Sequence, residues 1–90
     1  MSASETFEIV NELGMHARAA TKLVQLASRF GATVELEREG QRANAKSVMG
    51  VLLLCGAKGT RVTVHAEGAD ADAAVDAIGA LIAERFGEER

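Results

Sequence analysis

The sequence predicts a two-layer α+β domain in which an antiparallel sheet is covered on one face by helices. Three segments alternate apolar and polar residues with a period of two, which is typical of strands with one dry and one wet face. Two longer segments repeat apolar residues at steps of three and four. They therefore predict amphipathic helices that can cover the sheet. The elements follow the order β-α-β-β-α-β-α.

The first third of the chain predicts a strand and a long helix. Phe7 and Ile9 alternate with polar neighbours, which indicates a strand around residues 4–10. A helical pattern then covers residues 17–30, with apolar side chains recurring every three or four positions. Gly31 follows as the expected C′ residue of this helix, since glycine is the usual residue just past a helix end.

A hairpin and a short helix come next. Alternation over residues 32–37 predicts a second strand, residues 39–40 (Glu-Gly) predict a tight turn, and residues 41–45 return as a short edge strand. Ser47 is a favourable N-cap, because its hydroxyl can accept a hydrogen bond from a free backbone N–H. It therefore predicts a short apolar helix that ends near residues 55–56.

The last third of the chain predicts one more strand and a final helix. Residues 61–67 alternate as a strand, and Asp70 and Asp72 suit the positive dipole end of a helix. We assign six apolar residues to the buried side of that helix: Ala74, Val75, Ile78, Leu81, Ile82 and Phe86. The charged residues 84–90 are interpreted as a frayed, solvated helix end. A right-handed crossover through the first helix would leave a gap between two like-directed strands, and the last strand fits into it.

Composition narrows the class of protein. The chain has 90 residues, a net charge of −3 and one cysteine. One domain spanning residues 1–90 is expected at this length, and the negative charge argues against a nucleic-acid binder. A single cysteine allows no internal disulfide, which fits a reducing compartment. The chain begins without a signal-peptide pattern and has no apolar stretch long enough to span a membrane, so we expect a cytoplasmic protein with no direct membrane insertion.

The run from Gly14 to Arg18 (Gly-Met-His-Ala-Arg) carries the chemistry. His16 lies where a loop becomes a helix, Arg18 follows two residues later, and Lys22 comes one turn further on. A histidine can carry a group covalently, a helix N-terminus suits an anion, and arginine presents a fork matched to phosphate oxygens. The run therefore predicts a place to hold a phosphoryl group. The alternative is a surface histidine that only caps the helix.

Separated motifs give the chain a resemblance to a known family. They are Leu13-Gly14-Met15-His16-Ala17-Arg18, Lys46-Ser47-Val48-Met49-Gly50-Val51-Leu52, Ala57-Lys58-Gly59-Thr60 and the later Glu67-Gly68-Ala69-Asp70. Over nearly its whole length the chain resembles HPr, the histidine-containing phosphocarrier of the bacterial phosphoenolpyruvate-dependent phosphotransferase system. The resemblance implies an HPr-like open-faced β-sandwich with strand order 1-4-2-3, which agrees with the pattern described above.

The resemblance also implies roles for individual residues. His16 matches the histidine that accepts phosphate at Nδ1, and Arg18 matches the arginine that steadies the phosphoryl group. Ser47 matches a serine that a dedicated HPr kinase/phosphorylase modifies in many bacteria. An exposed apolar patch that partner proteins cover is matched by Val48, Met49 and Leu52. The alternative for this patch is that its residues simply fill the core.

The resemblance implies partners but no cofactor. Enzyme I would donate the phosphoryl group, and enzyme IIA domains would accept it. We expect a monomeric carrier without a metal or cofactor, and not an enzyme in its own right, because its partners complete each site. An alternative within the family is a nitrogen-branch protein that regulates by phosphorylation-dependent binding rather than serving sugar uptake. The lead-in over residues 11–15 looks more like that branch.

One position departs from the family pattern. The motif usually continues His-x-Arg-Pro, whereas Ala19 stands here in place of proline. Alanine keeps its backbone N–H and is a strong helix former, so the site gains a donor and its loop is less preorganised. Neither the nucleophile nor the arginine is lost, and the transfer rate is the property that this change affects.

Other residues carry weaker predictions. His65 is expected to be a solvated strand residue and Cys55 a small core residue, and neither has the spacing of a metal ligand. No pair of carboxylates is expected near His16. Two further classes of function remain open: a regulatory module acting only through Ser47 and the apolar patch, and a small-molecule-binding domain, for which the sequence offers no set of convergent polar groups.

Overall fold

The computed structural model describes residues 1–90 as one four-stranded antiparallel sheet with helices on one face. The strand order is β1-β4-β2-β3, so the predicted α+β fold and its 1-4-2-3 order are confirmed. The elements in chain order are β1 (Ser2–Glu8), α1 (Ala17–Ala27), β2 (Thr33–Arg38), β3 (Gln41–Asn44), α2 (Val48–Leu54), β4 (Arg61–Glu67), α3 (Ala71–Ala83) and a single 3₁₀ turn (Arg85–Gly87).

The core lies between the sheet and the helices. Val34 and Leu36 of β2 and every second residue of β4 are buried, and burying such a Val or Leu side chain stabilises the fold by about 1.5–3 kcal/mol. Helix α3 packs on β1 and β4, α2 packs on β2 and β3, and α1 packs against both other helices. None of the three helices combines the length and the apolar character needed for a membrane span.

The open face of the sheet carries a network of polar side chains. His65 Nε2 lies 2.5 Å from Glu37 Oε1, and Arg42 donates to Glu35 Oε1 at 3.1 Å. The prediction that His65 is solvated was therefore wrong in part: its side chain is only 27% exposed and is paired with Glu37. Strand β2 brings Glu37 within reach of His65. Glu35 is directly opposite His65 in the ladder between β2 and β4, and Glu37 lies two residues further along the same strand.

The first strand begins and ends two residues earlier than predicted. Its ladder with β4 runs from Ser2 opposite Glu67 to Glu8 opposite Arg61. Strand β1 therefore stops where β4 starts, and Ile9 instead exchanges backbone hydrogen bonds with the turn at residues 59–60. The apolar alternation identified strand β1 correctly, but it could not show where the partner strand β4 begins and so where β1 ends.

Helix α1 ends at Ala27, three residues before the predicted end. Ser28 is the C-cap with right-handed dihedral angles, and Gly31 is not in the left-handed conformation expected of a C′ glycine. The backbone N–H groups of Gly31 and Ala32 donate instead to the carboxylate of Asp70, each at 2.9 Å. These bonds, the Gly31 bond first, lower the pKa of Asp70. Asp70 is the N-cap residue of α3, so it lies at the positive dipole end as predicted, and it makes no side-chain capping bond there.

The C-terminal segment packs back against the body of the protein, so the prediction of a frayed helix end was wrong, although four of its five charged side chains are exposed as predicted. Helix α3 ends at Ala83, and Arg85, Phe86 and Gly87 all have positive φ (59°, 55° and 81°), which reverses the chain. Phe86 is only 1% exposed, so it is buried as predicted but lies beyond the helix. The turn places this large apolar ring in the core, where such side chains are favoured.

Candidate functional site

The loop before His16 is held by a buried asparagine. Asn11 is fully buried, and its Nδ2 donates to the carbonyl of Gly14 at 2.8 Å. Gly14 has a φ of 67°, and a Cβ there would lie 2.9 Å from the carbonyl oxygen of Gly56. Only glycine fits this close approach without strain. The loop therefore enters α1 along a fixed path.

His16 is the N-cap residue of α1, as the sequence predicted. Its backbone is extended (φ −81°, ψ 175°), and its ring Nδ1 accepts a hydrogen bond from the Arg18 backbone N–H at 3.2 Å. An N–H facing Nδ1 requires a lone pair there, so the proton of the neutral ring lies on Nε2. Nδ1 thus carries the lone pair of the neutral ring, and it faces the free N–H groups of the helix start, where an anion is favoured.

A carboxylate faces the other side of the ring. The Nε2–H of His16 donates to Oε2 of Glu88, while Oε1 of the same carboxylate accepts from Asn11 Nδ2 at 2.9 Å. The hydrogen bond from His16, with that from Asn11 second, lowers the pKa of Glu88. The sequence did not predict any carboxylate beside His16, so Glu88 is an addition to the predicted site.

Arg18 lies beside the histidine, and its side chain is unpaired. Its backbone N–H is engaged by His16, whereas its side chain is exposed and enters none of the ion pairs of the fold. Lys22, one turn further along α1, donates from Nζ to the carbonyl of Phe86 at 2.6 Å. Arg18 can therefore approach a phosphoryl group, whereas Lys22 holds the C-terminal segment.

The second predicted site lies at the start of α2, which packs against α1. Ser47 is its N-cap, and the hydroxyl accepts a hydrogen bond from the Gly50 backbone N–H at 3.1 Å. Val51 and Leu54 face the core, whereas Met49 and Leu53 are exposed at the surface. The predicted capping role of Ser47 is confirmed by this bond.

The apolar patch is distributed differently from the prediction. Met49 is 66% exposed, whereas Val48 and Leu52 are half-buried and pack partly against the core. Leu53 is 79% exposed and was not predicted as part of the patch. Helical geometry could have found it, since residues four apart share one face and Leu53 is four after Met49.

The single cysteine lies apart from this site, and its thiol is unreactive. Cys55 follows α2 and is buried, as predicted. Burial raises the pKa of its thiol to about 11, although the nearby Arg38 charge acts in the opposite direction. The thiol therefore stays protonated at neutral pH and offers no nucleophile.

Two residues of the site, Asn11 and Glu88, were missed at the sequence level. An asparagine three residues before a loop glycine is a recognisable turn signal, because its side chain can bond to nearby backbone. Glu88 carried no such signal, since it is one of several charges in a polar tail. Its position depends on the burial of Phe86, which only the tertiary structure reveals.

Fold and site together define a class of protein: a small α+β domain that presents a histidine ring nitrogen at a helix N-terminus, beside an unpaired arginine. Comparison with known proteins identifies the family. Residues 3–84 match the family described as "PTS HPr component phosphorylation site". The chain therefore belongs to the HPr family of phosphocarrier proteins of the phosphotransferase system, as the sequence motifs indicated.

Individual relatives agree with this assignment. The chain is 50% identical over 80 residues to the phosphocarrier protein HPr of Cupriavidus necator, covering 89% of this chain and 90% of the relative. It is 49% identical over 80 residues to the phosphocarrier protein NPr of Shewanella violacea, covering 89% and 88%. The crystal structure of HPr-C-His from Thermoanaerobacter tengcongensis superposes with a TM-score of 0.93 at 41% identity, covering 98% and 99% of the two chains.

Proposed function

We propose that this protein carries a phosphoryl group on Nδ1 of His16, accepting it from enzyme I and passing it to enzyme IIA-type domains. One observation carries the proposal: Nδ1 holds its lone pair toward the N-terminus of α1, where the Arg18 backbone N–H already meets it. The same N–H groups can donate to phosphoryl oxygens once the group has arrived. Membership in the HPr family supports the carrier role.

The proposed transfer is a direct displacement at phosphorus. The Nδ1 lone pair of neutral His16 forms the new P–N bond, the bond between phosphorus and the donor breaks, and its electron pair leaves with the donor. Charge on the phosphoryl oxygens is stabilised by the helix start and by the Arg18 guanidinium. A carrier must also release the group, so these contacts have to favour the transfer state over the resting phosphohistidine.

The proposal describes a carrier and not a complete catalyst. The ring of His16 is about a quarter exposed at the surface. The partner therefore has to supply the remaining walls of the site and exclude water. We propose that Met49 and the half-buried Val48 and Leu52 form part of the surface that the partner covers.

Incubation with phosphoenolpyruvate and enzyme I tests this proposal. We expect a phosphoryl adduct that is lost in acid and stable in alkali, as a phosphoramidate should be. Addition of an enzyme IIA domain should then discharge the adduct. A protein that stays unmodified, or that takes up an acid-stable label, contradicts the proposal and leaves a regulatory or small-molecule-binding module instead.

Replacing Arg18 with lysine is expected to slow phosphoryl transfer more than it weakens binding to enzyme I. Lysine keeps the charge but loses the planar fork that pairs with two oxygens. Removal of one charge-assisted donor costs about 2–4 kcal/mol of transition-state stabilisation. Rapid-quench transfer rates and binding titrations measure the two effects separately. Arg29→Lys, also exposed and just after the same helix, is the matched control, and equal rates for both variants would make Arg18 a bystander.

Regulation at Ser47 extends the proposal. Phosphorylation by an HPr kinase/phosphorylase would place about two negative charges at the N-terminus of α2, where the helix dipole favours them. The fold should tolerate the change. The patch beside Ser47 would gain a charge that an acidic partner surface repels, which would turn off binding to enzyme I.

The Ser47→Asp variant mimics this charge. We expect its thermal midpoint to equal or slightly exceed that of the parent, because aspartate is also a good N-cap. Its affinity for enzyme I should fall several-fold at low salt, since a screened surface charge is worth about 1 kcal/mol, and the loss should shrink as salt rises. Titrations at two ionic strengths measure this effect. Ser4→Asp, on the exposed face of β1, adds the same charge away from α2; if both variants bind alike, Ser47 has only its capping role.

A nitrogen-branch role is the second candidate, and the similarity to an NPr protein favours it specifically. In that case the same His16 chemistry would serve regulation rather than sugar uptake. Competition between the enzyme I proteins of the sugar and nitrogen branches decides between the two roles. Faster phosphorylation by the nitrogen-branch enzyme would support the second candidate, and the opposite order would support the first.

A further inference from the structure

The C-terminal segment supplies a part of the site that the family match does not include. That match ends at residue 84, whereas residues 85–90 turn back over the N-terminus of α1. The Glu12 backbone N–H donates to the carbonyl of Arg90 at 2.7 Å, and Lys22 Nζ donates to the carbonyl of Phe86. The segment is therefore fastened on both sides of Glu88.

We propose that Glu88 is a positioning residue for His16: it holds the ring proton on Nε2 and thereby keeps the lone pair on Nδ1 for phosphoryl transfer. The proposal rests on the function proposed above and adds a residue to it. Glu88 touches the ring on the side opposite the helix start, so it does not contact the transferred group itself. Its side chain is only 17% exposed, which limits competition from water.

Asn11 makes the contact specific for a carboxylate. Both of its Nδ2 hydrogens are used, one by the carbonyl of Gly14 and the other by Glu88 Oε1. Glu88 must therefore offer two acceptor oxygens at once, one to Asn11 and one to His16. A glutamine at this position has only one acceptor oxygen, so it cannot satisfy both donors.

The backbone of the turn provides an independent indication. Arg85 and Phe86 both adopt positive φ, a conformation that residues other than glycine rarely take. Such strained positions persist only where the surroundings enforce them, and they are concentrated at functional sites. Here the burial of Phe86 enforces the turn, and the turn delivers Glu88 to the ring.

The contact has a chemical consequence for both transfer steps. When Nδ1 forms its bond to phosphorus while Nε2 keeps its proton, the ring becomes positively charged. A carboxylate at Nε2–H stabilises that charge, which favours accepting the group. The retained proton also makes the ring a better leaving group. When the P–N bond breaks, its electron pair returns to Nδ1, and the ring leaves as a neutral imidazole with its proton on Nε2.

Glu88→Gln tests the proposal, with Glu89→Gln as the matched control. Both variants remove one negative charge from the same segment, but Glu89 is exposed and does not touch the ring. In Glu88→Gln we expect the amide oxygen to accept the hydrogen bond from buried Asn11. The amide NH₂ then points toward Nε2 of His16. Because that NH₂ can only donate, the neutral ring should shift toward the Nδ1–H tautomer. Nitrogen-15 shifts of the His16 ring measure this change in the folded protein, without any partner.

Transfer rates complete the test. Removing the hydrogen-bond partner of a metal-bound histidine typically lowers metal affinity or activity about 10–100-fold. At this partly exposed site we expect both transfer steps to slow about tenfold in Glu88→Gln and not in Glu89→Gln. An unchanged tautomer ratio, or unchanged rates despite a shifted tautomer, overturns the positioning role. If the parent protein itself takes up no phosphoryl group, the proposed function fails instead, and the ring shifts alone decide whether Glu88 sets the tautomer.

Discussion

The His16→Ala variant is expected to take up no phosphoryl group from enzyme I. The substitution removes the nitrogen that forms the P–N bond, and no neighbouring side chain can replace it, because a guanidinium such as that of Arg18 has no free lone pair and Glu88 contacts the ring on the side opposite the helix start. The fold should survive, since the ring lies at a helix cap rather than in the core. Loss of the capping bond costs about 1 kcal/mol.

The matched control is His65→Ala, which removes the other histidine of the chain from the open face of the sheet. This variant should be phosphorylated at the parent rate. Labelling with radioactive phosphoenolpyruvate and enzyme I, followed by acid and alkali treatment, measures both variants. An acid-labile, alkali-stable label on His16→Ala would remove His16 from the proposed mechanism.

The Phe86→Ala variant is expected to lose the most stability of any substitution discussed here. Truncation of a buried phenylalanine costs about 3–5 kcal/mol, through lost burial and the cavity that remains. For a domain of this size, that loss lowers the thermal midpoint by more than about 10 °C. Without its anchor, the C-terminal segment should also leave the site, so the contact between Glu88 and His16 should be lost.

Phe86→Leu separates these effects, because it keeps an apolar side chain in the same place. It should lose less stability than the alanine variant and retain the ring tautomer of the parent. Urea unfolding and nitrogen-15 shifts of the His16 ring measure the two properties. A Phe86→Ala protein that unfolds within about 1 kcal/mol of the parent would show that the turn does not depend on the buried ring.

The sequence predicted the elements that have a strong local signal. Alternating residues identified the strands, and the Glu39-Gly40 turn is present with φ values of 53° and 83°. The caps at His16 and Ser47 were also correct, because a cap depends on a few adjacent residues. The handedness of the crossover placed the last strand between β1 and β2, and the family resemblance implied the full open-faced 1-4-2-3 topology.

The features that were missed depend on distant residues. The segment after α1 is held by Asp70, far along the chain, which accepts hydrogen bonds from the N–H groups of Gly31 and Ala32. The segment that carries Glu88 is polar, and polar tails usually remain in solvent. Nothing local indicated that a single buried ring would turn this segment back over His16. The motif was thus enough to predict His16 and Arg18, whereas Glu88 could be identified only from the tertiary structure.

Nitrogen and phosphorus NMR of the phosphorylated protein tests the central claim most directly. Protein with nitrogen-15 in its histidine rings is charged with phosphoenolpyruvate and enzyme I, and coupling between phosphorus and each ring nitrogen is recorded. We expect coupling to Nδ1 of His16, with the proton retained on Nε2. Phosphorus bound to Nε2 of His16, to His65 or to Ser47 would contradict the account.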